Sequence, residues 1–172
     1  MFLALADIAA KYGMPIQLHM EAVPRDMSFP NTRLKGPQNP ATLKENITAL
    51  ERLLDHNPAA RIVWVHAGWD LTGERTAPLV RSLLERHPNL YMSIKPEFQG
   101  PRLTSPFGPD GRIKPAWIAM LHAFPDRFVV GSDQFFDNPR KAVSSARIFV
   151  DALPPDLVNS ITVENPKRIY RL

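Results

Sequence analysis

Short apolar runs alternate with amphipathic stretches along nearly the whole chain, and this alternation restricts the fold more than any other feature. The runs at 15–20, 61–66, 89–94 and 127–131 have the length and composition of strands. Residues 2–12, 42–56, 76–87, 115–123 and 139–152 repeat apolar side chains at helical spacing. The first of these carries Phe2, Leu5, Ile8, Ala9 and Tyr12 on one helical face, and Gly13 follows as a stop. Thr42 and Glu45 fit a capping box for the second, which Asn57-Pro58 ends; His87-Pro88 ends the third, and Pro115 suits the first turn of the fourth. The tail, 156–160 and 165–172, reads as two short closing helices. Strand and helix in strict succession require parallel strands joined by helical crossovers. The expected class is therefore α/β, with four parallel strands in a single domain over 1–172.

Composition narrows the function classes. With 172 residues, 44% of them hydrophobic, one domain can bury a sizeable core. Zero Cys excludes a disulfide scaffold, a Cys-ligated zinc site and a Cys nucleophile. The balance of 21 Lys+Arg against 17 Asp+Glu gives +4, but the two signs are interleaved and no basic run reaches five, so no nucleic-acid partner is indicated. The apolar start, Met1 to Ala6, meets Asp7 within two turns and is read as neither signal peptide nor membrane span. A location in the cytoplasm without a membrane partner is the matching expectation.

Loop lengths distinguish the two ends of the expected sheet. Helix-to-strand connections are brief, whereas the strand-to-helix connections 21–41 and 95–113 are long and hold four each of the chain's 18 prolines. Long loops in a compact domain are usually functional, and proline shapes them. In barrels and open α/β sheets alike, the active site lies at the carboxyl ends of the strands.

That end also collects the reactive residue types. His19 closes the first strand, His66 the second, and Asp133 lies just past the fourth. Alternation places Gln17 with His19, Trp64 with His66, and Tyr91 with Ser93 and Lys95, opposite faces suited to packing under helices. Singly, each residue has an ordinary structural reading; together, three on one end and one inferred face point to metal or acid/base chemistry. Neutral imidazoles and a carboxylate are good ligands for Zn²⁺ and other divalent ions. A water on such an ion ionises near neutral pH, and a neighbouring carboxylate takes its proton. His56 and His87 end helices, where a cation is favourable, and His122 reads as structural.

His-Met-Glu at 19–21, Val-His-Ala-Gly at 65–68, Gly-Ser-Asp at 131–133 and the closing Glu-Asn-Pro-Lys-Arg-Ile-Tyr at 164–170 resemble the amidohydrolase-related metal-dependent hydrolases. That group includes a decarboxylase branch acting on carboxylated substrates. The resemblance covers nearly the whole chain but maps onto only the carboxyl-terminal half of the family's (β/α)8 TIM-type barrel. It implies that His19 is a metal ligand, that His66 polarises substrate or water and ligates in two-metal members, and that Asp133 touches metal and acts as general base. The implied cofactor is a divalent ion, zinc by donor type. No His-x-His occurs in the sequence, and its one Glu-x-His, Glu85-Arg86-His87, closes a helix, so the family's first-strand pair is not supplied here. The resemblance thus implies a missing amino-terminal half, and a chain that pairs with that half or self-associates.

The long loops offer Arg25, Arg33, Lys35 and Arg102 to a substrate carboxylate, with Trp69, Phe98, Phe107, Phe135 and Phe136 as apolar walls. Lys95, which extends the inward-facing set of its strand, is the first choice, with Trp69 and Arg33 beside it. The leading expectation is a metal-dependent hydrolase acting on a small, possibly carboxylated molecule. The alternatives are a decarboxylase of the same family, a non-catalytic half-barrel or interaction module, and an open-sheet protein holding a small ligand at its strand ends.

Overall fold

Four of the apolar runs pair into one parallel sheet whose order follows the chain. The computed structural model describes residues 2–29, 40–96, 103–133 and 139–172. Helix α1 (Phe2–Tyr12) leads into β1 (Pro15–Leu18), and a two-residue ribbon follows, β2 (Met27–Ser28) with β3 (Thr42–Leu43). Next come α2 (Ile47–His56), β4 (Arg61–Ala67), α3 (Ala77–Arg86), β5 (Leu90–Ile94), α4 (Pro115–Ala123), β6 (Phe128–Val130) and α5 (Pro139–Ala152). The chain closes with α6 (Pro155–Asn159), a π-helical turn (Ser160–Glu164) and α7 (Asn165–Tyr170). The main sheet has the order β1-β4-β5-β6, every pair parallel.

The two faces of this sheet are unequal. Ile62, Trp64, Leu90, Met92, Ile94 and Phe128 are fully buried in the large core beneath the helices, with Leu50, Leu83, Trp117 and Phe149. Burying each such side chain contributes roughly 1.5–3 kcal/mol, so this layer dominates the stability. On the other face Val63, Tyr91 and Val129 pack with Ile169, and Val65 and Tyr170 join them half-buried. Asn165, at the start of α7, donates to the carbonyls of Pro125 and Phe128 (both 2.8 Å). Tyr170, at its end, accepts from Gln17 Nε2 at 3.1 Å. Helix α7 therefore crosses the inner face from β6 to β1.

Two expectations need correction. The second helix begins at Ile47 and not at Thr42, because Thr42–Leu43 pairs with Met27–Ser28 and the Phe29 amide donates to the Ala41 carbonyl. The connection 21–41 therefore contains a ribbon strand. Glu45 still caps the helix, accepting from the Thr48 amide at 2.8 Å, but its partner in the expected box has gone to the ribbon. Trp64 lies on the helix side of the sheet and not on the inner face. The apolar face of α1 is mostly open: Phe2, Leu5, Ile8 and Tyr12 are exposed, and Ala6 and Ala9 make its buried contacts. β1 and β6 are the open edges of the sheet.

Candidate functional site

Each strand end delivers its side chain by a different local device. After β1, the Asn46 side chain accepts from the Val23 amide (3.0 Å) and donates to the Glu21 carbonyl (2.9 Å), pinning the segment that follows His19 to the start of α2. Trp64 Nε1 donates to the Met20 carbonyl at 2.7 Å from the strand alongside. Near the end of β4 the pairing with β5 shifts register between Val65 and Ala67, and His66 takes a left-handed backbone with φ 67°. Strict alternation would send His66 to the helix side with Trp64. The bulge instead turns it to the cleft, which is what bulges beside active sites do.

After β6, the Gly131 amide donates to the Ile94 carbonyl at 2.8 Å. A Cβ there would stand 2.5 Å from Ser93 Oγ, so this strand end packs closely on β5 and a larger residue would force the Ser93 hydroxyl to turn away. Asp133 follows with φ 48°. Of the three non-glycine residues with positive φ among the described residues, two are His66 and Asp133. Such backbones cost about 1–3 kcal/mol each and concentrate at functional sites.

The result is an open cleft of about 500 Å³ at the carboxyl ends of the strands, lined by Gln17, His19, His66, Ser93, Lys95 and Asp133, with Pro166 and Tyr170 also on its wall. The His19 and His66 rings meet edge to face, centroids 4.4 Å apart. His66 Nε2 lies 3.3 Å from Asp133 Oδ1, and Lys95 Nζ donates to Asp133 Oδ2 at 2.6 Å. The same ammonium stands 4.4 Å over the Trp69 ring, which meets His66 at 5.8 Å. Five expected site residues are thus brought together; Arg33 lies outside the described residues, as do Lys35, Phe98, Arg102, Phe135 and Phe136.

Charge states follow from this packing. Burial pushes His66 down to about 4, and the nearby Lys95 and His19 add to that, against the pull of Asp133; its imidazole is neutral at pH 7. Burial raises Asp133, but the hydrogen bond and charge of Lys95 and the neighbouring His66 outweigh it and hold the carboxyl below its ordinary value. Asp133 is therefore an ionised, acceptor-only group.

The donor types suit a divalent ion, and His66 Nδ1 is buried without a hydrogen-bond partner. The arrangement does not hold one: among the described residues no group of three or more His, Asp or Glu stands where it could bind a metal. The Lys95 ammonium supplies the counter-charge of Asp133. Among the described residues, the chain offers donors without a complete metal site.

Other expected residues serve elsewhere. Arg25 pairs with Glu74 at 2.7 Å, and Phe107 is core, edge to face with Phe149. His56 pairs with Asp7 (3.0 Å) and buried His87 with Glu51 and Asp55 (3.3 and 3.2 Å). His122 is exposed beside Asp156 at 3.5 Å, not in the core. Sequence reasoning missed a polar group behind the cleft, buried Asp70 and Arg75 with half-buried Glu21. Asp70, 2% exposed, accepts from the Ala22, Glu74 and Arg75 amides and from Thr72 Oγ1. Burial and then the hydrogen bond and charge of Asp70 raise Glu21 to about 7, although the Leu71 amide and Arg75 oppose this. The Asp70-Leu71-Thr72 order, an Asx-type turn signal, was the available clue.

The comparisons agree with this architecture. The chain superposes on amidohydrolase 2 from Bifidobacterium longum subsp. infantis with a TM-score of 0.56 at 16% identity, covering 99% of this chain and 54% of that one. At that identity the likeness speaks for the fold, half of a (β/α)8 barrel, and the chain spans about half the length of the structure it matches. No curated protein is similar enough in sequence to match. The sequence pattern of the amidohydrolases runs through residues 2–172, and the chain belongs to the amidohydrolase family.

Proposed function

We propose that the chain forms one wall of a hydrolase active site for a small, carboxylated substrate, with Asp133 as general base. The observation that carries this reading is the contact chain His66–Asp133–Lys95, at 3.3 and 2.6 Å, beside His19 in the strand-end cleft. Family membership supports the hydrolase type of chemistry. Ionised Asp133 accepts a proton from the attacking water. Neutral His66 orients that water or the substrate oxygen. Lys95 keeps Asp133 ionised, and its remaining donors, next to the Trp69 ring, meet a substrate carboxylate. Arg33 belongs to the same proposal on sequence grounds alone.

Amidohydrolases commonly use divalent metals. His19, His66 and Asp133 are the donors this chain would contribute, with zinc the ion they suit and further donors coming from outside the chain. Such an ion, when bound, acidifies water and polarises a carbonyl.

A second reading, a non-catalytic half, is favoured by the missing three-donor group among the described residues. The purified chain, with and without Zn²⁺, is to be assayed on small amides, lactones and carboxylated aromatic acids beside Asp133→Asn. Acid or ammonia release lost in the variant supports the hydrolase. Release of CO₂ makes the family's decarboxylase chemistry the better assignment, and turnover equal in both proteins overturns the role of Asp133. No turnover under any condition favours the non-catalytic half.

A further inference from the structure

Behind the cleft, Arg75 is only 1% exposed although it carries a charge. Its Nη1 donates to the Val65 carbonyl at 2.5 Å and its Nη2 to the Met20 carbonyl. These two carbonyls belong to the residue just before His66 and the residue just after His19. The guanidinium stands over the fully buried Trp64 ring at 4.3 Å, and Trp64 Nε1 donates to the same Met20 carbonyl. Asp70 stands 3.9 Å away and also holds the Arg75 amide at 3.0 Å, so the loop that delivers the guanidinium is itself fixed.

We infer that Arg75 is the positioning residue of the site: one buried guanidinium ties the backbone beside His19 to the backbone beside His66 and thereby sets the spacing of the two imidazoles. The inference rests on reading those histidines as the site. It explains why an ion is kept in the core, where burial is costly, when only a planar fork can hold two carbonyls from two strands at once. It also explains how His66 keeps a left-handed backbone. Such a conformation persists only where the surroundings over-determine it, and Arg75 fixes the carbonyl immediately before the bulge.

The test is imidazole NMR on the intact chain, independent of any activity. In Arg75→Lys a single ammonium on a flexible stem cannot span both carbonyls. The expected result is loss of the His19–His66 inter-ring cross-peak and movement of both rings' ¹⁵N resonances. Buried His87 serves as the internal control and should not move, whereas a merely structural role would move it as well. A folded variant with the His19–His66 cross-peak retained overturns the inference. Should Arg75→Lys fail to fold, Arg75→Met decides: it brings no charge into the core and donates to neither carbonyl. It should shift the His19 and His66 rings while leaving His87 in place, and a retained His19–His66 cross-peak overturns the clamp. Absence of turnover would sink the hydrolase proposal yet leave these resonances, and this inference, standing.

Discussion

Replacing Asp70 with Ala should destabilise the chain far more than any surface substitution. Its carboxylate is buried and serves four donors: the amides of Ala22 (3.2 Å), Glu74 (2.9 Å) and Arg75 (3.0 Å), and the Thr72 hydroxyl (2.5 Å). A buried donor left without its partner costs about 1–3 kcal/mol. Removing one side of a buried ion pair costs about 3–5 kcal/mol, and here the charge left behind is Arg75. The two costs overlap, since the Arg75 amide and guanidinium share one loop, so the expected loss is about 3–5 kcal/mol in total. That is a large part of the roughly 5–15 kcal/mol that holds a domain together. Urea unfolding followed by Trp fluorescence should show the midpoint falling by roughly 2 M at a slope of about 2 kcal/mol/M. In a thermal scan the same loss lowers Tm by about 6–20 °C for a chain of this size. Asp70→Asn keeps one acceptor oxygen and should lose about half as much. A loss below about 1 kcal/mol for the alanine variant, within reach of ordinary surface changes, would refute the network as the anchor of this loop.

Asp133→Asn should lower turnover by roughly 10²–10⁴-fold while exposed His122→Ala leaves it unchanged, and equal losses in kinetic assays of the two would point to instability. Gly131→Ala should destabilise by about 1–3 kcal/mol because its Cβ would stand 2.5 Å from Ser93 Oγ; adding Ser93→Ala should recover most of that in urea titrations, and full additivity would count against the clash. Glu21, raised to about 7 from 4.5 chiefly by burial, binds its proton more tightly folded than unfolded. Its contribution to stability is therefore complete below about 4.5 and lost as pH rises through about 7, so Glu21→Gln should flatten that fall in a series of urea midpoints. The open β1 edge and the exposed Phe2, Leu5, Ile8 and Tyr12 predict concentration-dependent self-association on size exclusion; a monomer at every concentration would contradict this.

The parallel sheet was legible because its strands are bounded by sharp stops and buried beneath helices, which makes their apolar runs continuous. Helix α4, expected near 115–123, was legible because Pro115 suits its first turn, and it spans Pro115–Ala123. The start of α2 was not: a capping box is local, whereas the pairing of Thr42–Leu43 with Met27–Ser28 is made by residues distant in sequence. Trp64 was placed on the wrong face because alternation was counted back from His66 across a bulge that the sequence does not announce. Arg75 was invisible for a related reason, as one of the carbonyls it holds lies 55 residues away.

The misplacement of Trp64 and the correct convergence of His66 have one cause. With regular alternation, a strand that buries Trp64 under the helices would bury His66 beside it, and the cleft would lose the imidazole next to Asp133. The register shift after Val65 lets the strand satisfy both demands, at the cost of a left-handed backbone at His66. Asp133 repeats the pattern: its φ of 48° brings a carboxylate into reach of both His66 and Lys95 just where Gly131 lets β6 close on Ser93. A sequence selected for stability alone would have no reason to keep strain at both strand ends. The two departures from regular β geometry therefore argue for a site at this cleft independently of the chemistry of the residues that occupy it.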